Sequence, residues 1–144
     1  MASRKISDLT PDVQRKYRLF EAKMRALKID YIVTCTLRTV EEQVALYAMG
    51  RTAPGRVVTW TLFSRHIPRD DDRGTINAGK SHAFDIVITH DSGPVWDVKC
   101  DVNQDDIPYY MQTGQVGESV GLKWGGKFRS SQGKPMPDYV HFEG

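Results

Sequence analysis

The stretch AFDIVIT, Ala83 to Thr89, decides the fold. Its β-branched and aromatic residues, closed by the turn HDSGP, read as the strongest strand of the chain. The third residue of that strand is an aspartate. An unpaired carboxylate inside an apolar strand is costly to bury, and a cation resolves the cost. Side chains alternate along a strand, so Asp85 shares its face with Ala83 and Val87, and the small Ala83 leaves room beside it.

Upstream, YIVTCT (31–36) is a second strand. Thr10-Pro11-Asp12 starts a helix with a capping hydroxyl, a proline at the first position and an acid in the first turn. Val13, Tyr17, Phe20, Met24 and Leu27 then recur at helical spacing, to about Lys28. Thr39 caps a second helix, VEEQVALYAMG, which Gly50 ends. RTAPGRVVTWTLF (51–63) reads as a loop leading into a strand. Downstream, VWDVK (95–99) is a weaker strand, and Asp105 or Asp106 opens a third helix through YYMQTGQVGESVG, against the cost of its glycines. LKW (122–124) is short and extended, and VHFEG (140–144) is a terminal strand. The order predicts one compact α+β domain over residues 1–144, with helices packed on a mostly antiparallel sheet.

The bulk numbers fit that expectation. A chain of 144 residues, 40% hydrophobic and 26% charged, has the size and composition of a soluble globular domain with its own core. Net charge is +2, unevenly spread: residues 1–69 carry 13 Lys and Arg against 6 Asp and Glu, and residues 70–144 carry 7 against 12. The basic half could favour an anionic polymer such as nucleic acid or cell wall, or be a solvated helix face. Cys35 and Cys100 sit among apolar or β-branched neighbours and read as buried free thiols. The first twenty residues lack a signal-peptide core, and no run nears the ~18 apolar residues of a membrane span. The expectation is synthesis in the cytoplasm, with any action outside it depending on release by another protein.

Four histidines are available: His66, His82, His90 and His141. Hydrolytic zinc sites use three protein ligands, commonly histidines with a carboxylate, and leave one position open. His66, Asp85 and His141 are the candidates. His82, three residues from Asp85, should point to the opposite face. In PDYVHFEG, Asp138 precedes His141 by three residues and is placed to act as general base. Glu143, on the His141 face of the strand, is a rival for base or partner of the histidine.

The motifs TLRTVEEQVALYAMGRTAPG, SRH, HAFDIV, LKWGG and PDYVHFEG follow one another in the order found in the M15 zinc peptidases, which this chain resembles from about Thr34 to Glu143. The nearest likeness is to phage endolysins and bacterial cell-wall enzymes that act as L-alanyl-D-glutamate peptidases, with a Hedgehog/DD-peptidase-like fold. The resemblance implies one zinc ion on His66, Asp85 and His141, Asp138 as base, and Arg38 as a catalytic residue that stabilises the oxyanion or clamps a substrate carboxylate. It further implies Ser64, Arg65 and Gln43 as substrate-binding residues, although Ser64 could equally cap its turn. The implied partner of this monomeric enzyme is bacterial peptidoglycan, with no nucleic acid and no membrane insertion.

Three departures from the family pattern stand out. Residues 67 to 84 separate His66 from Asp85, about a dozen more than in the compact family form, at little cost because closure entropy grows logarithmically with length. Ser81 replaces a glycine, which is tolerable unless the backbone there needs positive φ. Lys127 follows WGG where an acid is usual. The rival readings are a D-alanyl-D-alanine carboxypeptidase with the same centre, a non-catalytic zinc-containing wall-binding protein, and a nucleic-acid binder.

Overall fold

The computed structural model describes residues 2–59, 61–90, 93–95 and 108–144. Helix α1 spans Pro11–Ala26, α2 Val40–Ala48 and α3 Tyr109–Ser119; the strands are β1 Tyr31–Cys35, β2 Ala83–His90, β3 Gly93–Pro94, β4 Lys123–Trp124 and β5 His141–Glu143. The sheet runs β1-β2-β5-β4, with β3 paired to β2, and all these pairings are antiparallel. AFDIVIT lies at its centre, in the α+β architecture that the sequence predicts.

Local chemistry sets the helix starts. The Thr10 hydroxyl accepts from the Val13 amide at 3.3 Å. At α2 the Thr39 hydroxyl accepts from the Glu42 amide at 3.1 Å, while Glu42 accepts from the Thr39 amide at 2.9 Å. Each such cap contributes about 1 kcal/mol. Gly50, at φ +77°, turns the chain beyond α2.

One face of the sheet is a row of aromatics. Phe84 pairs with Phe142, which pairs in turn with Trp124. Helix α1 lays Val13, Tyr17, Phe20 and Met24 against it, with ring centroids 5.1 Å apart for Phe20 and Phe142 and 5.2 Å for Tyr17 and Phe84. Helix α3 crosses closer still. A Cβ on Gly114 would overlap the Trp124 indole, and one on Gly117 the Phe142 ring. The glycines that weaken α3 by propensity are what allow it to seat on the sheet.

Two expectations need correction. RVVTWTLF does not extend a sheet among the described residues; Val57, Val58, Leu62 and Phe63 are exposed. β propensity is realised only beside a partner strand, and this segment is instead held by the Gln43 amide, which donates to Thr59 Oγ1 at 3.2 Å and the Thr61 carbonyl at 2.6 Å. Helix α3 begins at Tyr109, with Pro108 as its N-cap. The suggested starts at Asp105 and Asp106, Cys100, and the VWDVK segment beyond Val95 lie outside the described residues.

The 67–80 insertion leaves and returns at one place. The His82 amide donates to the Arg65 carbonyl at 3.0 Å, so the loop's two ends are fastened together. His82 Nε2 also pairs with Asp72 Oδ2 at 2.6 Å, and Lys80 Nζ donates to the Ser7 carbonyl at 2.8 Å. Its three acids diverge: Asp70 faces Arg73, Asp71 faces Arg69, and Asp72 meets His82. They do not form a joint cation site. Ser81 carries no positive φ, and its hydroxyl is spent on Ala83, so the loss of glycine costs nothing there.

Candidate metal centre

The other face of the same strands is polar. Antiparallel register puts Cys35 opposite Asp85 and Asp85 opposite His141, three side chains in a row across β1, β2 and β5. His66 enters from the turn at 64–67. That turn is held by Ser64, whose hydroxyl accepts from the His66 amide at 3.2 Å, and by the Arg38 amide, which donates to the His66 carbonyl at 3.0 Å.

His66 Nε2 and His141 Nδ1 each lie 3.1 Å from Asp85 Oδ1. The outer nitrogens are already committed. His66 Nδ1 faces the Thr36 carbonyl at 2.8 Å, and His141 Nε2 faces Glu143 Oε1 at 2.9 Å. With a proton on each outer nitrogen, a lone pair on each inner nitrogen points at the carboxylate. Two lone pairs and a carboxylate do not bind one another; they bind a cation. Zinc–ligand bonds of ~2.0–2.1 Å at tetrahedral angles imply donor separations of about 3.3 Å, close to the two histidine–carboxylate distances. The residues fit a zinc ion held by His66 Nε2, Asp85 and His141 Nδ1, with Thr36 and Glu143 fixing the tautomers.

Without a cation, protons must fill that role. Burial disfavours charge on His66, but the Asp85 carboxylate outweighs it and pushes the imidazole up to about 10. His141 is likewise opposed by burial and driven up, to about 9, by hydrogen bonds to Asp85 and Glu143. Burial would raise Asp85, yet the two imidazoles hold its carboxyl far below the usual carboxylate range.

By mutual distance the described residues offer a different grouping, without His141: Cys35, His66 and Asp85 have donor atoms within 4.8 Å of one another. Cys35 Sγ, however, stands 3.6 Å from His66 Nδ1, the nitrogen engaged by Thr36, and 3.4 Å from Arg38 Nη2. The thiol therefore backs the histidine rather than facing its open nitrogen. Cys35 is free and buried, as its sequence context predicts.

Asp138 and His141 line the same cleft, a cavity of about 540 Å³ together with Arg38, Ser64, Arg65 and Glu143. Burial, then the charge of Asp85, raises the Asp138 carboxyl above its ordinary value. The loop carrying it is docked on WGG: the Asp138 amide donates to the Gly125 carbonyl at 2.8 Å, and a Cβ on Gly125 would strike the Asp138 carbonyl. Lys127 turns away, pairing with Glu118 of α3 at 2.9 Å. Phe128 forms cleft wall, its ring 5.5 Å from that of His141; Trp124 is core and donates to the Tyr139 carbonyl at 3.0 Å.

Arg38 stands beside Asp85, Nη2 3.8 Å from Oδ2, and its Nη1 donates to Gln43 Oε1 at 2.6 Å. Gln43 is fully buried. Its amide is consumed by Arg38, Thr59 and Thr61, so it positions the guanidinium and the cleft wall and does not present its side chain to a ligand. Arg65 borders the cleft and is tied to Glu143 Oε2 at 3.4 Å and the Gly144 carbonyl at 2.8 Å. Sequence reasoning did not find the Thr36 carbonyl, because a backbone acceptor has no residue signature, and left Glu143 between two roles that its bond to His141 now separates.

Two imidazoles and a carboxylate around a candidate cation site, with a raised acid on the same cleft wall, are the groups that a metallopeptidase uses. Comparison with known proteins agrees. The M15 peptidase profile described as D-alanyl-D-alanine carboxypeptidase matches residues 79–144. The peptidoglycan L-alanyl-D-glutamate endopeptidase CwlK of Bacillus subtilis (strain 168) is 29% identical, over 95% of this chain and 74% of its own length. The crystal structure of the Serratia marcescens L-Ala D-Glu endopeptidase ChiX shares the fold, with a TM-score of 0.63 at 20% identity over 99% of this chain and 87% of that one. The resemblance read from the motifs therefore has support: the chain is similar to an M15 peptidase model over residues 79–144 and to an L-alanyl-D-glutamate endopeptidase over nearly its whole length.

Proposed function

We propose that the protein is a zinc-dependent endopeptidase that hydrolyses the L-alanyl-D-glutamate bond of peptidoglycan stem peptides, and that it serves as a phage endolysin. The observation that carries the peptidase reading is the convergence of His66 Nε2, His141 Nδ1 and Asp85 Oδ1 in a cleft that also holds Asp138. Zinc bound there supplies the Lewis acidity that polarises the scissile carbonyl and activates water. Asp138, whose carboxylate no described side chain hydrogen-bonds, takes the water's proton and returns it to the departing amine. Its raised affinity for protons suits both halves of that exchange.

Arg38 favours the Ala–Glu bond as the target. In a stem peptide linked through the D-Glu side chain, the α-carboxylate is free and adjoins the scissile amide, and a guanidinium at the cleft grips it. CwlK and ChiX carry the same specificity in their names. The endolysin role rests on the motif resemblance, and implies synthesis in a host cytoplasm and access to the wall after a separate protein permeabilises the membrane.

Mass spectrometry of digested peptidoglycan tests the bond. New N-terminal D-Glu, absent with Asp138→Ala and with chelator, supports the assignment, whereas released D-Ala would move it to a carboxypeptidase. Expression inside a bacterium with and without a membrane-permeabilising protein tests the lytic role: lysis only with both supports it, and intact cells with both contradict it.

A further inference from the structure

The cleft shares Phe63, Ser64 and Arg65 with a neighbouring apolar groove of about 620 Å³, within the ~300–1,000 Å³ range of small-ligand sites. Val40 and Val44 of α2, Leu62, Phe63, Ile67 and Pro68 form its surface. Phe63 is 90% exposed, Val40 56% and Val44 52%. An aromatic ring so exposed contributes nothing to the core, and contiguous exposed apolar surface next to a cleft marks a binding site.

Charge narrows the occupant. Three charged residues border the groove, and each is already matched: Arg65 by Glu143, Arg69 by Asp71, and Asp70 by Arg73. The groove is therefore electrically neutral, unlike the cleft floor around Arg38 and Asp85. A stem peptide is anionic downstream of the Ala–Glu bond and neutral upstream, where L-Ala joins the lactyl ether of an N-acetylated sugar. Distance agrees. Phe63 precedes His66 by three residues, a span of at most about 11 Å, and the sugar begins one residue, about 3.5 Å, upstream of the scissile bond.

We propose that this groove is a saccharide subsite that takes the muramyl sugar of the glycan strand, with its apolar C–H face on the Phe63 ring. The inference rests on the Ala–Glu reading of the catalytic site. It orients the substrate, with glycan over Phe63 and Val44 and the acidic stem toward Arg38. It also makes the enzyme prefer wall-attached stems to free peptides.

The test compares the zinc-loaded full chain on two substrates, a GlcNAc–MurNAc-tetrapeptide and the same tetrapeptide without sugar. Ligand-observed NMR of the peptide-free disaccharide is run in parallel. An aromatic contact contributes about 0.5–1.5 kcal/mol, so kcat/KM should favour the muropeptide by about two- to tenfold. Phe63→Ala and, more weakly, Val44→Ser should shrink that ratio and the disaccharide signal together; both side chains are exposed, so the fold is kept. Equal kcat/KM on the two substrates, or a preference that survives both substitutions, overturns the subsite. A preference for a sugar-free cross-linked peptide over the muropeptide overturns it in favour of a peptide occupant. If neither substrate is cut at Ala–Glu, the bond assignment fails, and Phe63-dependent disaccharide binding alone then decides the subsite.

Discussion

The two faces of the central sheet use the same strands for opposite purposes. On one face Phe84, Phe142 and Trp124 form an aromatic row under α1 and α3; on the other, one residue out of phase, Cys35, Asp85 and His141 form a polar row. The aromatic row works by volume, and many neighbours share its burden. In the polar row individual atoms are committed to named partners, and those on adjacent loops are as specific as the residues themselves. A strand with period two can thus carry stability and chemistry at once, with little exchange between them.

Substitutions that separate the faces sharpen this contrast. Asp138→Asn should retain zinc at one equivalent and lose about 10²–10⁴-fold in kcat, measured by elemental analysis and turnover on a model substrate. Phe20→Ala, on the aromatic side, should cost about 3–5 kcal/mol in denaturant unfolding, while the molecules that remain folded keep their zinc. Equal zinc loss in both variants would break the comparison.

Protons compete with metal on the polar face. His66 and His141 stay protonated in the metal-free protein up to about 10 and about 9. Zinc uptake at neutral pH should therefore release about two protons, and affinity should climb by up to about a hundredfold per pH unit until that range is reached. Calorimetry in buffers of different ionisation enthalpy checks the count. The sign for stability is opposite. Because these folded-state values lie above the unfolded value of about 6.5, the imidazole–carboxylate contacts support the metal-free fold fully below pH 6.5. That support is lost as pH rises through 9 to 10. Glu143→Gln should weaken zinc binding by about 10–100-fold with little change in unfolding free energy, as expected for a partner that orients His141.

Much of this was legible in the sequence for identifiable reasons. Thr10-Pro11-Asp12 and Thr39 announce α1 and α2 because capping chemistry is local. Asp85 marks a candidate cation site because a carboxylate in an apolar strand is out of place. The pairing of His66 with His141 was not local: they are 75 positions apart in the chain, and only the ordered motifs joined them. The 57–63 segment misled because its β-branched residues carry no record of whether a partner strand exists. The glycines of α3 misled because propensity does not see the Trp124 and Phe142 rings they admit. Gln43 looked like a ligand-facing residue because it shares a block with Arg38; burial assigns it to holding that arginine.

X-ray absorption at the zinc edge of the loaded protein tests the identity of the metal ligands most directly. Ligation by His66, Asp85 and His141 should give only nitrogen and oxygen neighbours at about 2.0–2.2 Å, with the outer-shell scattering of two imidazoles. A sulfur neighbour at about 2.3 Å would contradict it, placing Cys35 on the metal with His66 and Asp85.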